Sequence, residues 1–323
     1  MVVNRLETAA SRPVKTKPLP SRRAFLRDAV AFPAAAIATL HSRRALAAQA
    51  PAPPSAYQLG CFTRPFDQHE YRVALDAIAE AGFKHCGLMT AKGKSWVIIH
   101  EDTRPEEAAQ VGADAKARGL SVLSVYADWK TLEPSARSIE ALRRLVDHCA
   151  ACGSPSLMLG GTTDERLAAA YYLAIAECCP YAAAKGIGLT IKPHGGLNAT
   201  GPQCRQIIAS VKQPNFRLWY DPGNIFYYSD GKVDPVEDAA TVDGLVVGIS
   251  AKDFLPPKEV MVTPGNGRVD FPKVLTRLRA GGFRTGPVLI ETLAQGDLKH
   301  VIAEARKARA YLTGLLEFKR AGS

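Results

Sequence analysis

The sequence lacks several features that would indicate common classes of protein. It has no uninterrupted apolar run of the roughly 20 residues that a membrane-spanning helix needs, so a stable membrane anchor is not expected. No P-loop or Rossmann glycine fingerprint follows a predicted strand, which argues against a nucleotide cofactor. Cys149 and Cys152 have CxxC spacing, but no second Cys/His pair stands at zinc-finger distance, which favours a structural role for them.

Residues 1–50 resemble an export signal rather than part of a fold. Ser21–Arg27 matches the twin-arginine pattern, Ala29–Leu40 is a short apolar run, and small-x-small cleavage sites follow at Ala45–Ala47 and Ala48–Ala50. The alternative is a basic tail that happens to carry paired arginines. We predict a twin-arginine signal peptide, the twin-arginine export machinery as a partner, and a periplasmic mature protein.

Most of the positive charge lies in this leader. The chain has a formal net charge of +10, and residues 1–50 hold nine Lys/Arg against two Asp/Glu, which leaves 32 against 29 in the remainder. No cluster of lysine and arginine interleaved with aromatic residues remains, so nucleic acid is not an expected partner. Residues 51–56 are predicted to be a short linker into the folded part.

Residues 57–323 alternate short apolar runs with longer amphipathic stretches about eight times, without a linker between them. This pattern predicts a single-domain α/β protein, a (β/α)₈ TIM barrel, with a doubly wound open sheet as the alternative. The predicted strands are Tyr57–Phe62, Lys84–Met89, Ser121–Tyr126, Ser156–Leu159, Gly188–Lys192, Phe216–Tyr220, Leu245–Ser250 and Val288–Glu291. The predicted helices include Tyr71–Ala81, Pro105–Arg118, Ser138–Ala151, Glu165–Lys185 and Phe271–Ala280.

In such a barrel the functional site lies at the C-terminal ends of the strands, and several polar residues fall there. They are Arg64, Tyr126, Trp129, Lys192, His194, Asp221, Asn224, Ser250, Lys252 and Glu291. Polar groups at the ends of apolar strands are costly to bury unless they are paired, so a shared site or a salt-bridge network is predicted. Simpler roles remain open: Asp221 as a turn cap, His194 bonded to backbone in a Gly-Gly turn, and Tyr126 and Trp129 as ordinary packing.

Five motifs in this order resemble the xylose isomerase-like TIM-barrel superfamily, in its sugar phosphate isomerase/epimerase branch. They are Pro193–Gly196 after strand 5, Asp221–Asn224 after strand 6, Lys252-Asp253 after strand 7, the loop Pro264–Phe271, and Glu291 on strand 8. The resemblance covers nearly all of residues 57–317. It implies proton transfer next to a sugar carbonyl at a divalent metal, held by Glu, Asp, His and Glu on strands 5 to 8.

The sequence departs from that ligand set at two positions. Asp221 and Glu291 match the strand-6 and strand-8 ligands, but Lys192 stands where the resemblance expects glutamate and Ser250 where it expects histidine. Asn224 falls where a supporting polar residue follows the aspartate. An ammonium group in place of a carboxylate competes with a metal for the same negative field.

Three interpretations follow for the site. In the first, Lys192 takes the place of the metal and stabilises an enolate-like oxyanion, with Glu291 or His194 as the base. In the second, a divalent Mn, Mg or Zn ion is held by Asp221, Glu291 and His194 while Lys192 faces the substrate. In the third, Lys192, Asp221 and Glu291 form an inactive salt bridge. A Schiff base on Lys192 is less favoured, because nearby carboxylates raise the pKa of a lysine.

We therefore expect a carbohydrate isomerase or epimerase. Phosphorylated sugars are retained in the cytoplasm, so an exported member is expected to act on a free sugar or keto-sugar. A keto-glycoside lyase or hydrolase and a non-catalytic sugar-binding barrel are the alternatives, and a homo-oligomer is compatible with the sequence. The predicted substrate-binding residues are Arg64, Tyr126, Trp129, Asn224, Ser250 and Lys252.

Overall fold

Eight parallel strands pair in sequence order, and the last strand pairs with the first to close a barrel. The computed structural model of the protein describes residues 57–130 and 135–317; the predicted leader and linker, 131–134 and 318–323 lie outside the described residues. The strands are β1 Tyr57–Phe62, β2 His85–Leu88, β3 Ser121–Ala127, β4 Ser156–Leu159, β5 Gly188–Ile191, β6 Phe216–Tyr220, β7 Val246–Ala251 and β8 Gly286–Ile290. The α-helices are α1 Tyr71–Glu80, α2 Pro105–Ala117, α3 Ser135–Cys152, α4 Glu165–Ala184, α5 Gly201–Val211, α6 Pro222–Tyr228, α7 Pro235–Ala240, α8 Phe271–Ala280 and α9 Leu298–Glu317.

The predicted (β/α)₈ barrel is confirmed, and the open sheet is wrong. The β8–β1 ladder runs from Tyr57 opposite Gly286 to Cys61 opposite Ile290, so no sheet edge remains between these strands. Both ends of every predicted strand lie within two residues of the ends of an observed strand. The strands are parallel because each is followed by a helical crossover that returns the chain to the same end of the barrel.

The barrel interior is filled by a few large side chains. Phe62, Met89, Leu123, Tyr126, Met158, Trp219 and Leu289 pack there with Val97 from a loop. Glycine stands at two positions where these rings leave no room for a side chain. A Cβ on Gly87 would overlap the Phe62 ring, and one on Gly248 would lie 2.5 Å from Trp219 Cε3. Interior layers of a barrel interdigitate in this way, with large residues opposite small ones.

Helix α4 has 20 residues, and its most apolar 18-residue window has a mean hydropathy of 1.2, which by length and composition would suit a membrane span. In the structure it packs against α3, α5 and β5 as one of the barrel helices. Its Cys178 and Cys179 are buried, and all seven cysteines of the chain, which lie in the described part, are free and buried. The structural role predicted for Cys149 and Cys152 agrees with their place inside α3.

Substitution of Gly248 by alanine should destabilise the barrel. The added methyl would lie 2.5 Å from the Trp219 ring, and overpacking of this kind costs about 1–3 kcal/mol. Gly314 is the matched control, because it lies in α9 and a Cβ there meets nothing within 4 Å. Gly314→Ala should therefore raise the free energy of unfolding by about 0.4–1 kcal/mol. Urea unfolding gives both values, and equal effects from the two variants would contradict the packing account.

Candidate active site

Two ammonium groups and two carboxylates alternate in a closed ring at the C-terminal mouth of the barrel. Lys192 Nζ lies 2.7 Å from Asp221 and 2.6 Å from Glu291, and Lys252 Nζ lies 3.3 Å from Asp221 and 2.5 Å from Glu291. Each residue directly follows one of the strands β5 to β8. Because these strands are adjacent and parallel, their ends converge and bring the four side chains together. All four are 2% exposed or less.

The Glu291 carboxylate is saturated with donors. Oε1 is 2.5 Å from Lys252 and 3.2 Å from Arg64, and Oε2 is 2.6 Å from both Lys192 and Ser250 Oγ. Two carboxylate oxygens offer about four lone-pair sites, so none is left for a substrate. Burial alone would raise the pKa of Glu291, but Lys192, Lys252 and Arg64 outweigh it and hold that pKa well below its ordinary value. Glu291 is therefore a fixed anion.

Asp221 is both a helix cap and a member of the charged ring. Its Oδ1 accepts the Asn224 backbone N–H at 2.9 Å and caps α6, while Oδ2 faces both lysines. The Asn224 side chain accepts a hydrogen bond from Lys252 Nζ at 3.0 Å and donates one to the Pro193 carbonyl at 2.6 Å. Asn224 thus links the ring to the loop after β5, and it does not line the site cavity described below.

The two lysines differ in what they leave free. Lys252 has three oxygen neighbours, which match its three N–H donors, whereas Lys192 has two among the described residues, so one of its donors remains for a substrate. Burial would lower the pKa of Lys192, but Asp221 and Glu291 raise it above its ordinary value. For Lys252 burial prevails over the same two carboxylates and lowers the pKa.

These residues do not fit a divalent metal at the expected position. Each carboxylate already contacts both ammonium groups, and a metal there would lie within a few ångströms of two like charges. Within residues 57–130 and 135–317, no three His, Cys, Asp or Glu side chains are grouped as a metal site. Both acids of the predicted metal ligand set of Asp221, Glu291 and His194 are paired with lysine instead.

A cavity of about 390 Å³, here called the site cavity, opens above the ring. Its volume falls in the usual range for small-molecule sites. It is lined by five of the predicted residues: Arg64, Tyr126, Lys192, His194 and Glu291. The predicted substrate-binding residues Asn224, Ser250 and Lys252 do not line it: Lys252 belongs to the ring, and Asn224 and Ser250 form hydrogen bonds with ring members.

Sequence reasoning missed four polar or aromatic residues of this cavity: Asp67, Gln68, Thr90 and Trp96. They lie in the loops after β1 and β2 rather than at strand ends. Asp67 accepts hydrogen bonds from Thr90 Oγ1 at 3.1 Å and from Gln68 Nε2 at 3.4 Å. Their position soon after two strands of a predicted barrel was the available signal, because those loops also form the mouth.

His194 is held at the cavity wall by its backbone. Its N–H donates to the Asn198 carbonyl at 3.0 Å, and the Asn198 side chain donates to the carbonyls of Lys192 at 2.7 Å and Gly160 at 2.8 Å. Gly195, with φ at 86°, makes the turn that follows. The backbone bond considered for His194 is therefore present, and it leaves the imidazole free to face the cavity.

The His194 ring lies between two tyrosines, with centroid distances of 6.3 Å to Tyr126 and 5.7 Å to Tyr228. No described residue forms a hydrogen bond with its ring nitrogens. Burial, and then the charges of Lys192 and Lys252, lower the pKa of His194 to about 3. The imidazole is therefore neutral near pH 7 and has an available lone pair.

Trp129, predicted to bind substrate, does not line the site cavity. It is 4% exposed, its Nε1 donates to the Ser138 carbonyl at 3.2 Å, and its ring packs on Tyr171 at 4.6 Å. Trp129 lines a second, smaller cavity. The aromatic pattern after β3 correctly indicated the mouth of the barrel, but burial places Trp129 mainly in the packing between barrel and helices.

The fold and site define a TIM-barrel protein with a small-molecule cavity at the C-terminal end of its strands. Residues 75–314 match the family described as "xylose isomerase-like TIM barrel", and the chain belongs to that family. No protein of curated function matches the chain.

Solved structures of the same fold are similar at low sequence identity. A xylose isomerase domain protein from Planctomyces limnophilus is 20% identical, with a TM-score of 0.64 over 81% of this chain and 98% of that one. D-psicose 3-epimerase from Clostridium cellulolyticum H10, with D-tagatose, is 13% identical, with a TM-score of 0.64 over 80% and 99%. L-ribulose 3-epimerase is 16% identical, with a TM-score of 0.62 over 82% and 96%. At these identities the likeness establishes the fold.

The low pKa of His194 predicts a pH dependence of stability. Below pH 6.5 the unfolded chain binds a proton at this histidine that the folded chain does not bind until near pH 3, so stability falls as the pH drops through that window. Between pH 7 and pH 5 the wild type should lose roughly 1–2 kcal/mol more than His194→Gln. Urea unfolding at both pH values measures this, and parallel losses in the two proteins would contradict a neutral His194.

Proposed function

We propose that the protein is a carbohydrate isomerase or epimerase that moves a proton next to the substrate carbonyl, with Lys192 in place of a divalent metal. The observation that carries the proposal is that Lys192 lines the site cavity, is held by two carboxylates and has one donor without a partner among the described residues. Membership in the xylose isomerase-like TIM-barrel family and the epimerases among the similar structures support the reaction class.

Lys192 has the properties of an oxyanion stabiliser. Removal of a proton beside a carbonyl places negative charge on the carbonyl oxygen, and a fixed cation in a dry site stabilises that charge without reorganising. The raised pKa keeps Lys192 charged, and its ion pairs fix its direction. A lysine that stays charged cannot form a Schiff base, which needs the neutral amine.

His194 is a better candidate for the base than Glu291. All acceptor positions of Glu291 are occupied, whereas the neutral His194 imidazole faces the cavity with a free lone pair. A pKa of about 3 makes His194 a weak base in the free protein, because burial and then the repulsion from Lys192 and Lys252 disfavour the imidazolium. An enolate beside Lys192 would offset that repulsion, so proton uptake and oxyanion formation support each other.

The proton balance is simple. His194 takes the proton from the carbon next to the carbonyl, and the C–H electron pair moves into the enolate. Protonation of the same carbon from the opposite face, by an acid other than His194, gives an epimer. Return of the proton by His194 to the former carbonyl carbon, while the neighbouring hydroxyl proton passes to the former carbonyl oxygen, gives an isomer. Burial raises the pKa of Tyr126 to about 12, so its hydroxyl keeps its proton and can donate to a substrate oxygen. Asp67 is the second candidate base, because it lines the same cavity.

The test is deuterium wash-in from solvent into a panel of ketoses and keto-glycosides. The wild type should exchange a proton, and EDTA should not reduce the rate. Lys192→Met should lower the rate at least about a hundredfold, and His194→Gln should lower the rate while sugar binding persists. Lys258→Met, a change at an exposed lysine paired with Asp230, is the matched control and should keep the wild-type rate.

Other outcomes would contradict the proposal in distinct ways. A folded wild type that binds sugars but washes in no deuterium would be a binding protein. Loss of exchange in EDTA, restored by Mn²⁺, would favour the metal interpretation. Because Lys192→Met leaves two buried carboxylates with less charge compensation, the thermal unfolding of this variant must be measured beside its rate. If Lys192→Met does not fold, His194→Gln tests the chemistry instead.

We also propose that the protein is exported by the twin-arginine route and acts on an unphosphorylated sugar or keto-sugar. Arg22-Arg23 and the apolar segment Ala29–Leu40 support this proposal. A reporter that is active only after export, fused to residues 1–56, should reach the periplasm. Arg22→Lys/Arg23→Lys should retain the reporter in the cytoplasm, and equal export of the two fusions would contradict the route.

A further inference from the structure

A second cavity of about 160 Å³ lies beside the site cavity, and Trp96 borders both. Neighbouring residues of β3 line the two cavities, Tyr126 the first and Ala127 the second. A volume of 160 Å³ is below the range of sites that hold a whole small molecule, while the site cavity is within it. The smaller cavity is therefore better explained as an extension of the larger one than as a separate site.

The backbone of Trp96 is held by hydrogen bonds, although its side chain is exposed. Its carbonyl accepts the Ala91 N–H at 3.2 Å, and a β-bridge joins Thr90 to Val97, so the residue sits on a short hairpin after β2. Its ring meets the Tyr126 ring edge-on at 6.2 Å, and the residue is 54% exposed. A large aromatic face held in the open at a cavity mouth is suited to contact an amphipathic ring.

The chemistry of the second cavity favours a neutral group with hydroxyls. Its lining includes the carboxylates of Glu101, Asp102 and Asp128 together with His100 and Ser95. These groups offer many hydrogen-bond acceptors. Among the described residues, the ion-pair partner of Asp128 is the exposed Lys130, at 3.7 Å. An anionic group such as a phosphate would meet like charges there, whereas sugar hydroxyls can donate to them.

We propose that the substrate spans both cavities and is a glycoside of two units. The ring with the carbonyl lies against Lys192 and His194 in the site cavity, and a neutral polyhydroxylated unit crosses Trp96 into the second cavity. The proposal deepens the function proposed above and rests on it, because it assigns that site a keto-glycoside rather than a single sugar. Trp96 is then the residue that contacts both units and sets the preference for length.

The test compares disaccharides that contain one keto-sugar unit with the methyl glycosides of the same keto-sugar. The keto-sugar unit is derived in turn from glucose, galactose and xylose. Binding is measured by calorimetry and reaction by deuterium wash-in. The wild type should bind at least one keto-disaccharide about tenfold more tightly than its matched methyl glycoside. Trp96→Ala should abolish that preference, and Asp128→Asn should reduce disaccharide binding without changing methyl glycoside binding. Leu173→Ala, at an exposed apolar residue of α4 (56%), is the control and should keep the preference.

The outcomes separate the two proposals. If no disaccharide in any series exceeds its methyl glycoside in affinity, or if Trp96→Ala weakens both members of a pair equally, the two-unit substrate is wrong while wash-in can still support proton transfer. If the disaccharide preference and its loss in Trp96→Ala are observed without wash-in, the two-cavity assignment stands as a binding site and the proposed reaction fails.

Discussion

The ring of Lys192, Asp221, Lys252 and Glu291 is the constraint on which the site depends. Four buried charges from four adjacent strands are tolerable only because each ammonium group contacts both carboxylates. Removing one partner of a buried pair typically costs about 3–5 kcal/mol, since it leaves an uncompensated charge. The ring therefore links the ends of β5 to β8 and holds Lys192 in a fixed position where it lines the cavity.

This arrangement changes what each retained acid can do. In the ligand set that the sequence resemblance implies, two glutamates hold a metal and move protons. Here Glu291 is occupied by four donors and Asp221 by two lysines and the cap of α6. The carboxylates hold the lysines in place, and Lys192 and the neutral His194 are among the groups that line the cavity.

Much of the fold and part of the site could be predicted from the sequence. Eight alternating segments specify a barrel, and in a barrel the strand ends must converge, so Lys192, Asp221 and Glu291 were correctly expected to meet. Trp96 and Asp67 were missed because loop residues carry no periodicity that assigns them a face. Trp129 was misplaced because a pattern of aromatic residues does not distinguish a ring at a cavity mouth from one packed between layers.

The sequence by itself determined the fold class, the departure of Lys192 and Ser250 from the expected ligands, and the end of the barrel where the site lies. Only the tertiary structure decided that Lys252 joins the ring rather than the cavity, that Glu291 has no free acceptor position, and that Trp96 borders two cavities. The reason is physical. Periodicity and strand order place a residue on an element, but saturation of a charge and access to a cavity depend on distances of a few ångströms between residues far apart in the chain.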